Sequence, residues 1–163
     1  MDNAAWPSQT VPDPIKDLVA HFYSIVDSEG TNTGVKLAED IFTDDGELII
    51  NKRNWVGSDS ISEWRAGGES VILRSHEVDK IYVCNDEGDD LLMTGKLTLG
   101  SEIGLTAESP FCARCVVDDA TASSPRVRTW QMWTDYTPFF DLGILRPPVT
   151  KMSDGILDTI GGR

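Results

Sequence analysis

The chain has 163 residues, with 14 Lys and Arg against 27 Asp and Glu, two His, three Cys and 40% apolar residues. That is the length of one ordinary domain with enough apolar side chains for one core. A net charge of −13 argues against a nucleic-acid backbone or an anionic membrane as partner, and no run of about 18 apolar residues is present to span a bilayer.

Residues 1–12, with Pro7 and Pro12 among small polar side chains, read as a flexible lead-in lacking the basic and apolar regions of a secretion signal. The expectation is therefore a soluble cytoplasmic protein. Asp13-Pro14 supplies a cap and a first-turn proline, and Ile15, Leu18, Val19, Phe22, Ile25 and Val26 follow at helical spacing, predicting a helix that ends near Asp27. Val35, Ala38, Ile41 and Phe42 form a second, shorter stripe, stopped by Asp44-Asp45-Gly46. Glu47 to Ile50 reads as a strand, Asn51 to Asn54 as a turn, and Ser58 or Asp59 as the cap of a third helix bearing Ile61 and Trp64. Four long β runs follow: 75–84, 90–100, 105–117 and 127–137, separated by polar and glycine-rich breaks. Residues 138–163 form a tail with apolar anchors and poor periodicity, suited to cover a cavity mouth or embrace a partner subunit. Three helices ahead of a four-strand antiparallel meander make an α+β plan, with the helices on one face of a strongly bent sheet.

Cys112-Ala113-Arg114-Cys115 spells C-x-x-C, but three-apart residues on a strand face opposite sides, and no second pair exists to complete four zinc ligands. All three cysteines, Cys84 included, therefore read as reduced, buried apolar thiols, and no metal is expected. Phosphate-loop, dinucleotide, zinc-protease and nucleophile-elbow motifs are all missing.

Four stretches, taken in order, resemble the SnoaL-like polyketide cyclase and dehydratase group of the nuclear-transport-factor-2-like (NTF2-like) superfamily. They are Ile41-Phe42-Thr43-Asp44-Asp45-Gly46-Glu47-Leu48, Trp55-Val56-Gly57, Arg74-Ser75-His76-Glu77-Val78 and Arg128-Thr129-Trp130-Gln131-Met132-Trp133-Thr134-Asp135. The overlap covers roughly residues 13–137. The flavour is that of small fungal members acting in secondary metabolism, with scytalone dehydratase a more distant relative. The resemblance implies a cone of three N-terminal helices on a bent, mostly antiparallel sheet that encloses a cavity. Where the ketosteroid-isomerase branch places its base carboxylate, this chain has Ile49-Ile50-Asn51. Scytalone dehydratase uses a tyrosine near there, where this chain has Asn51, and its second cavity histidine finds no counterpart in Ser109 to Ala113, so neither mechanism transfers directly.

His76 is the first candidate catalyst, because an imidazole takes or gives a proton near neutrality. His21, between Ala20 and Phe22 on helix one, reads as structural or exposed. Asp135, near the end of an aromatic-rich strand, is placed to orient His76 or carry a proton; a strand-end Asp bonding the turn before Pro138 is the plainer reading. Tyr23 lies near where related enzymes place a donor phenol, although Phe22 holds the clearer core position and would turn Tyr23 sideways or outward. Phe22, Trp55, Trp64, Phe111, Trp130 and Met132 are candidate pocket walls, each equally readable as core. Arg128 is a candidate substrate-binding group. Arg114 falls opposite the inward row Phe111, Ala113, Cys115 and Val117, which favours pairing across a dimer interface on the convex face. Arg128, Trp130 and Met132 alternate with Thr129, Gln131, Trp133 and Asp135, so a cavity holding both Trp130 and Asp135 requires a bulge between them.

These readings converge on a cofactor-free isomerase, cyclase or dehydratase. It would act by acid–base catalysis on an apolar polyketide, terpenoid or alkaloid intermediate, and the chain would form a homodimer. The alternatives are a non-catalytic NTF2-like module binding a small molecule or a protein, and a hydrolase-like member of the same fold.

Overall fold

A computed structural model describes residues 4–8, 11–65 and 71–146 of the chain. Helix α1 (Asp13–Val26) leads into a short α2 (Thr33–Lys36) that widens into a π-helical turn over Leu37–Ile41. Strands β1 (Phe42–Ile50) and β2 (Arg53–Val56), helix α3 (Gly57–Ser62) and strands β3 (Val71–Val83), β4 (Asp90–Ser101), β5 (Thr106–Val117) and β6 (Val127–Thr134) follow, then helix α4 (Thr137–Asp141).

All six strands form one mixed sheet in the order β2-β1-β6-β5-β4-β3. The expected antiparallel meander is β3 to β6; β1 joins it through a parallel pairing with β6 and carries β2 as an antiparallel edge. Asn51 makes the turn between β1 and β2 at φ 53° and also extends the pairing with β6: its side chain bonds the Thr134 carbonyl and N–H at 3.0 and 3.1 Å. At the opposite edge the lead-in lies against β3, where Ala5 and residues 79–81 exchange backbone bonds of 2.9 and 3.1 Å. Ala5 is thus held against the sheet, within the segment expected to be a flexible lead-in. No helix among the described residues is long and apolar enough to cross a membrane.

The inner sheet face reads as alternation allows: Leu91, Met93, Leu97 and Leu99 on β4 and Phe111, Ala113, Cys115 and Val117 on β5 are all buried. Against them α1 buries Ile15, Leu18, Val19, Phe22, Tyr23, Ile25 and Val26. That stripe is wider than one helical face: Phe22 and Tyr23, adjacent in sequence, both reach sheet residues, Phe22 meeting Trp130 and Tyr23 meeting Trp130 and Phe111. α2 rests directly on α3 at Gly34, where a Cβ would lie 2.5–2.6 Å from the carbonyl oxygens of Ile61, Ser62 and Trp64. Beyond Thr137 the core continues, since Phe139 and Ile144 are buried with the helices and sheet. Residues 147–163 of the expected tail lie outside the described residues.

The sheet is open, and the space the cone was expected to enclose is filled. Trp130 stacks on Phe22 with ring centroids 3.5 Å apart; Tyr23 packs edge-on against both, and Phe111 lies 6.3 Å from Tyr23. The wide aromatic stripe of α1 reaches the sheet and packs there.

Candidate active site

His76 stands on the inner face of β3, in one row with Leu97 of β4 and Ser109 of β5. Asp27 follows the last turn of α1; its N–H closes that turn on the Tyr23 carbonyl, the next N–H, of Ser28, bonds the Ile25 carbonyl, and the Asp27 carboxylate leaves the helix end toward β3. Both carboxylate oxygens serve one residue. Oδ1 lies 2.6 Å from His76 Nδ1, and Oδ2 accepts the His76 backbone N–H at 2.9 Å. The two-point hold fixes the ring and its strand together, with Nδ1 as the ring nitrogen set against the carboxylate.

The ring is 5% exposed and Asp27 25% exposed, so the carboxylate is the end of the pair that solvent reaches. Phe111 meets the imidazole edge-on at 5.4 Å, and Tyr23 lies tilted against it at 5.3 Å. Gly95 allows this approach: a Cβ there would lie 2.9 Å from the Phe111 ring and 2.1 Å from the Glu77 carbonyl oxygen. Tyr23 is buried rather than turned outward, and its phenol donates only to the weak acceptor Met93 Sδ at 3.9 Å. Burial, reinforced by Cys115, Asp27 and Cys112, pushes the phenol well above its ordinary range, so Tyr23 is a proton donor and not a base.

A cleft of about 230 Å³ opens where the loop after α1 meets the start of β3. Asp27 lies in its wall with Ser28, Thr31, Arg65, Arg74, Val71 and Ile72, and His76 lies behind Asp27. Arg65 also closes the C-terminus of α1, donating to the Val26 carbonyl at 2.9 Å. The cleft therefore offers carboxylate acceptors, guanidinium and hydroxyl donors, and an apolar wall. A second cleft, between the π-helical turn and α3, contains none of the sequence-predicted site residues.

Several expected site residues lie elsewhere. Asp135 is exposed beyond the end of β6, accepting the Thr137 N–H at 2.9 Å; its hydrogen bonds to Thr137 hold it below the ordinary carboxylate range. It caps the entry to α4, and Asp27 takes the place expected for it beside His76. No bulge separates Trp130 from Asp135; the bulge in β6 falls at Arg128, between Val127 and Thr129. It turns both Val127 and Trp130 inward and Arg128 outward, where Arg128 pairs with Asp118 on the surface. Arg114 is indeed on the outer face, but its partner is Asp90 of its own chain, bonded by two nitrogens at 2.9 and 2.6 Å. Phe22, Phe111, Trp130, Met132 and Trp64 are buried and Trp55 is half-buried against them; none lines the Asp27 cleft. His21 is exposed, 3.9 Å from Asp40. Cys115 is buried, Cys112 half-buried and Cys84 exposed, the last because it stands at the outer end of β3. No group of three or more His, Cys, Asp or Glu among the described residues is placed to hold a metal ion.

Asp27 is the residue that sequence reasoning missed. Its signal was its position four residues after Tyr23, on the same helical face. Arg74 likewise stands two residues before His76, on the same strand face.

No protein-family model matches the chain, and no curated protein matches it in sequence. Solved structures do match in fold. A protein of Jannaschia sp. CCS1 assigned as a SnoaL-like polyketide cyclase superposes with a TM-score of 0.60 at 15% identity, over 87% of this chain and 99% of its own. A protein of ketosteroid isomerase-like fold from Catenulispora acidiphila gives 0.57 at 16%, over 81% and 92%. An LEH-like epoxide hydrolase of M. tuberculosis gives 0.59 at 17%, over 83% and 87%. At such identities what is shared is the fold: this chain is built as SnoaL-like and ketosteroid isomerase-like proteins are.

Proposed function

We propose that the chain is a cofactor-independent acid–base enzyme, an isomerase, cyclase or dehydratase of secondary metabolism acting on a largely apolar small molecule. The observation that carries this reading is the Asp27–His76 couple, 2.6 Å apart, buried on the imidazole side and open to a cleft on the carboxylate side. A substrate carbonyl in the cleft would direct its oxygen to the guanidinium of Arg74, and the neighbouring C–H would face the Asp27 carboxylate. The C–H bond breaks, its proton passes to the couple, and its electrons form an enolate that the guanidinium stabilises. Return of the proton to a different carbon is an isomerisation; its delivery to a departing hydroxyl is a dehydration. Tyr23, held as a neutral phenol by burial, packs against the imidazole at the closed end and does not enter the cleft. The reading is supported by a fold neighbour assigned as a SnoaL-like polyketide cyclase.

One observation favours a second reading, a non-catalytic binding module: the aromatic centre is packed shut by the Phe22–Trp130 stack. The test is a panel of an unsaturated ketone, a β-hydroxyketone, a diketone and an epoxide, with products followed by mass. Unchanged mass with altered structure identifies an isomerase or cyclase, loss of water a dehydratase and gain of water a hydrolase. Turnover of none of them, by a folded protein that still binds them, selects the module.

We further propose that the chain is a homodimer joined through the outer face of β3 to β6. That face presents Tyr82 and Trp133 exposed, with Leu92 and Val116 half-buried between them.

A further inference from the structure

The Asp27 cleft is smaller than most substrates of the proposed chemistry, and the material on its rim says what kind of molecule fits it. At about 230 Å³ it lies below the ~300–1,000 Å³ of pockets that swallow a drug-sized ligand. The centre of the cone offers no extension, because Phe22, Tyr23 and Trp130 pack against one another there. The part of a ligand that does not fit must therefore leave over the rim.

From the cleft wall a row of inward-facing side chains runs toward the turn between β4 and β5. Val71, in the cleft wall, pairs with Ser101 of β4, and the Ser101 N–H bonds the Leu105 carbonyl at 2.9 Å. Val71, Ser101 and Leu105 thus form one row across three adjacent segments. It faces inward by alternation from the buried row of Leu99 and Ala107. Ile72, beside Val71 at a register shift, is 48% exposed; Leu105 is 40% exposed, and Ile103 in the connecting turn is 82% exposed. Single exposed apolar side chains are ordinary, but here Ile72 lies in the wall of a polar cleft and Leu105 stands in the row that leaves it through Val71 and Ser101, with Ile103 in the turn beyond.

The geometry points to a ligand with a compact, neutral oxygenated head and an extended apolar body. The head sits in the cleft, where carboxylate acceptors and guanidinium donors lie side by side and a net charge of either sign would meet its like. The body lies over Ile72, Leu105 and Ile103. This specifies a substrate class for the proposed site and rests on that reading for its turnover, though not for its binding.

The test uses the full chain and 1-hexanol, 1-octanol and 1-decanol as probes, with affinity measured by calorimetry and the contact surface by amide shifts. Affinity should rise roughly two- to fourfold per added methylene. An Ile103→Glu/Leu105→Glu variant, with an unchanged circular dichroism spectrum, should keep the hexanol affinity and lose most of that increment. Asp27→Asn should weaken all three alcohols alike. Binding whose chain-length dependence is the same in the rim variant overturns the proposal, as does failure of any alcohol to bind. A panel without turnover alongside a rim-dependent increment removes the enzyme reading and leaves the ligand class standing.

Discussion

Asp27 commits both carboxylate oxygens to His76, one to the ring and one to the backbone of the strand that carries it. Asp27→Ala should therefore cost about 1.5–3 kcal/mol of stability, the range for hydrogen bonds to a charged group. Urea unfolding of the variant measures it, and a loss near zero would show the couple to be loosely held. Tyr23 and Cys115 make a different prediction. Burial raises both groups in the folded chain, so the folded protein holds protons that the unfolded chain releases. Their contribution is complete below the unfolded-chain values, near 9 for the thiol and 10 for the phenol, and is lost as pH rises above them. The Tm should fall steeply above about pH 9, and Tyr23→Phe should flatten the part of that fall above about pH 10. An identical fall in the variant would mean that Tyr23 is not the group being held neutral. At this scale His76 was legible because it stands in the Arg74–Val78 stretch. Asp27 was not: 49 positions separate it from its partner, and the two meet only once α1 is packed against the sheet.

At the scale of elements, alternation and helical spacing predicted what they physically control. The buried rows of β4 and β5 and the stripe of α1 agree with the pattern because burial on a pleated or helical surface is what the pattern encodes. Features set by long-range pairing were beyond it: β1 lies parallel to β6, the β6 bulge falls at Arg128 and not after Trp130, and Thr137 starts a helix. Gly95 links strand to site, since its missing Cβ admits Phe111 to His76. Gly95→Ala should cost about 3 kcal/mol through clashes with the Glu77 carbonyl and the Phe111 ring. A chemical-denaturation midpoint equal to the wild type would show that β4 shifts freely to accommodate the methyl group. Phe139, the buried residue of α4, should cost about 3–5 kcal/mol as Phe139→Ala if α4 is part of the core and not an appendage. The same denaturation experiment measures that cost.

For the molecule as a whole, the charge of −13 and the apolar 40% divide between surface and core as composition alone suggests, but little of the apolar share lines an open cavity. The fold is the one the ordered motifs resemble; the proposed site lies at the rim of the cone, where α1 ends, and not at its centre. If the outer face of β3 to β6 joins two copies, light scattering at micromolar concentration should give a dimer mass, and Trp133→Glu/Tyr82→Glu should give the monomer. A wild-type monomer would contradict that assembly. The central claim is that Asp27 and His76 move a proton as one unit. A double-mutant cycle on the turnover of whichever panel substrate reacts tests it most directly, comparing wild type, Asp27→Asn, His76→Gln and the double variant. Each single change should lower turnover by about 100-fold or more, with the double variant no slower than the poorer single one. Single variants within about threefold of wild type, or losses that multiply in the double variant, would contradict it.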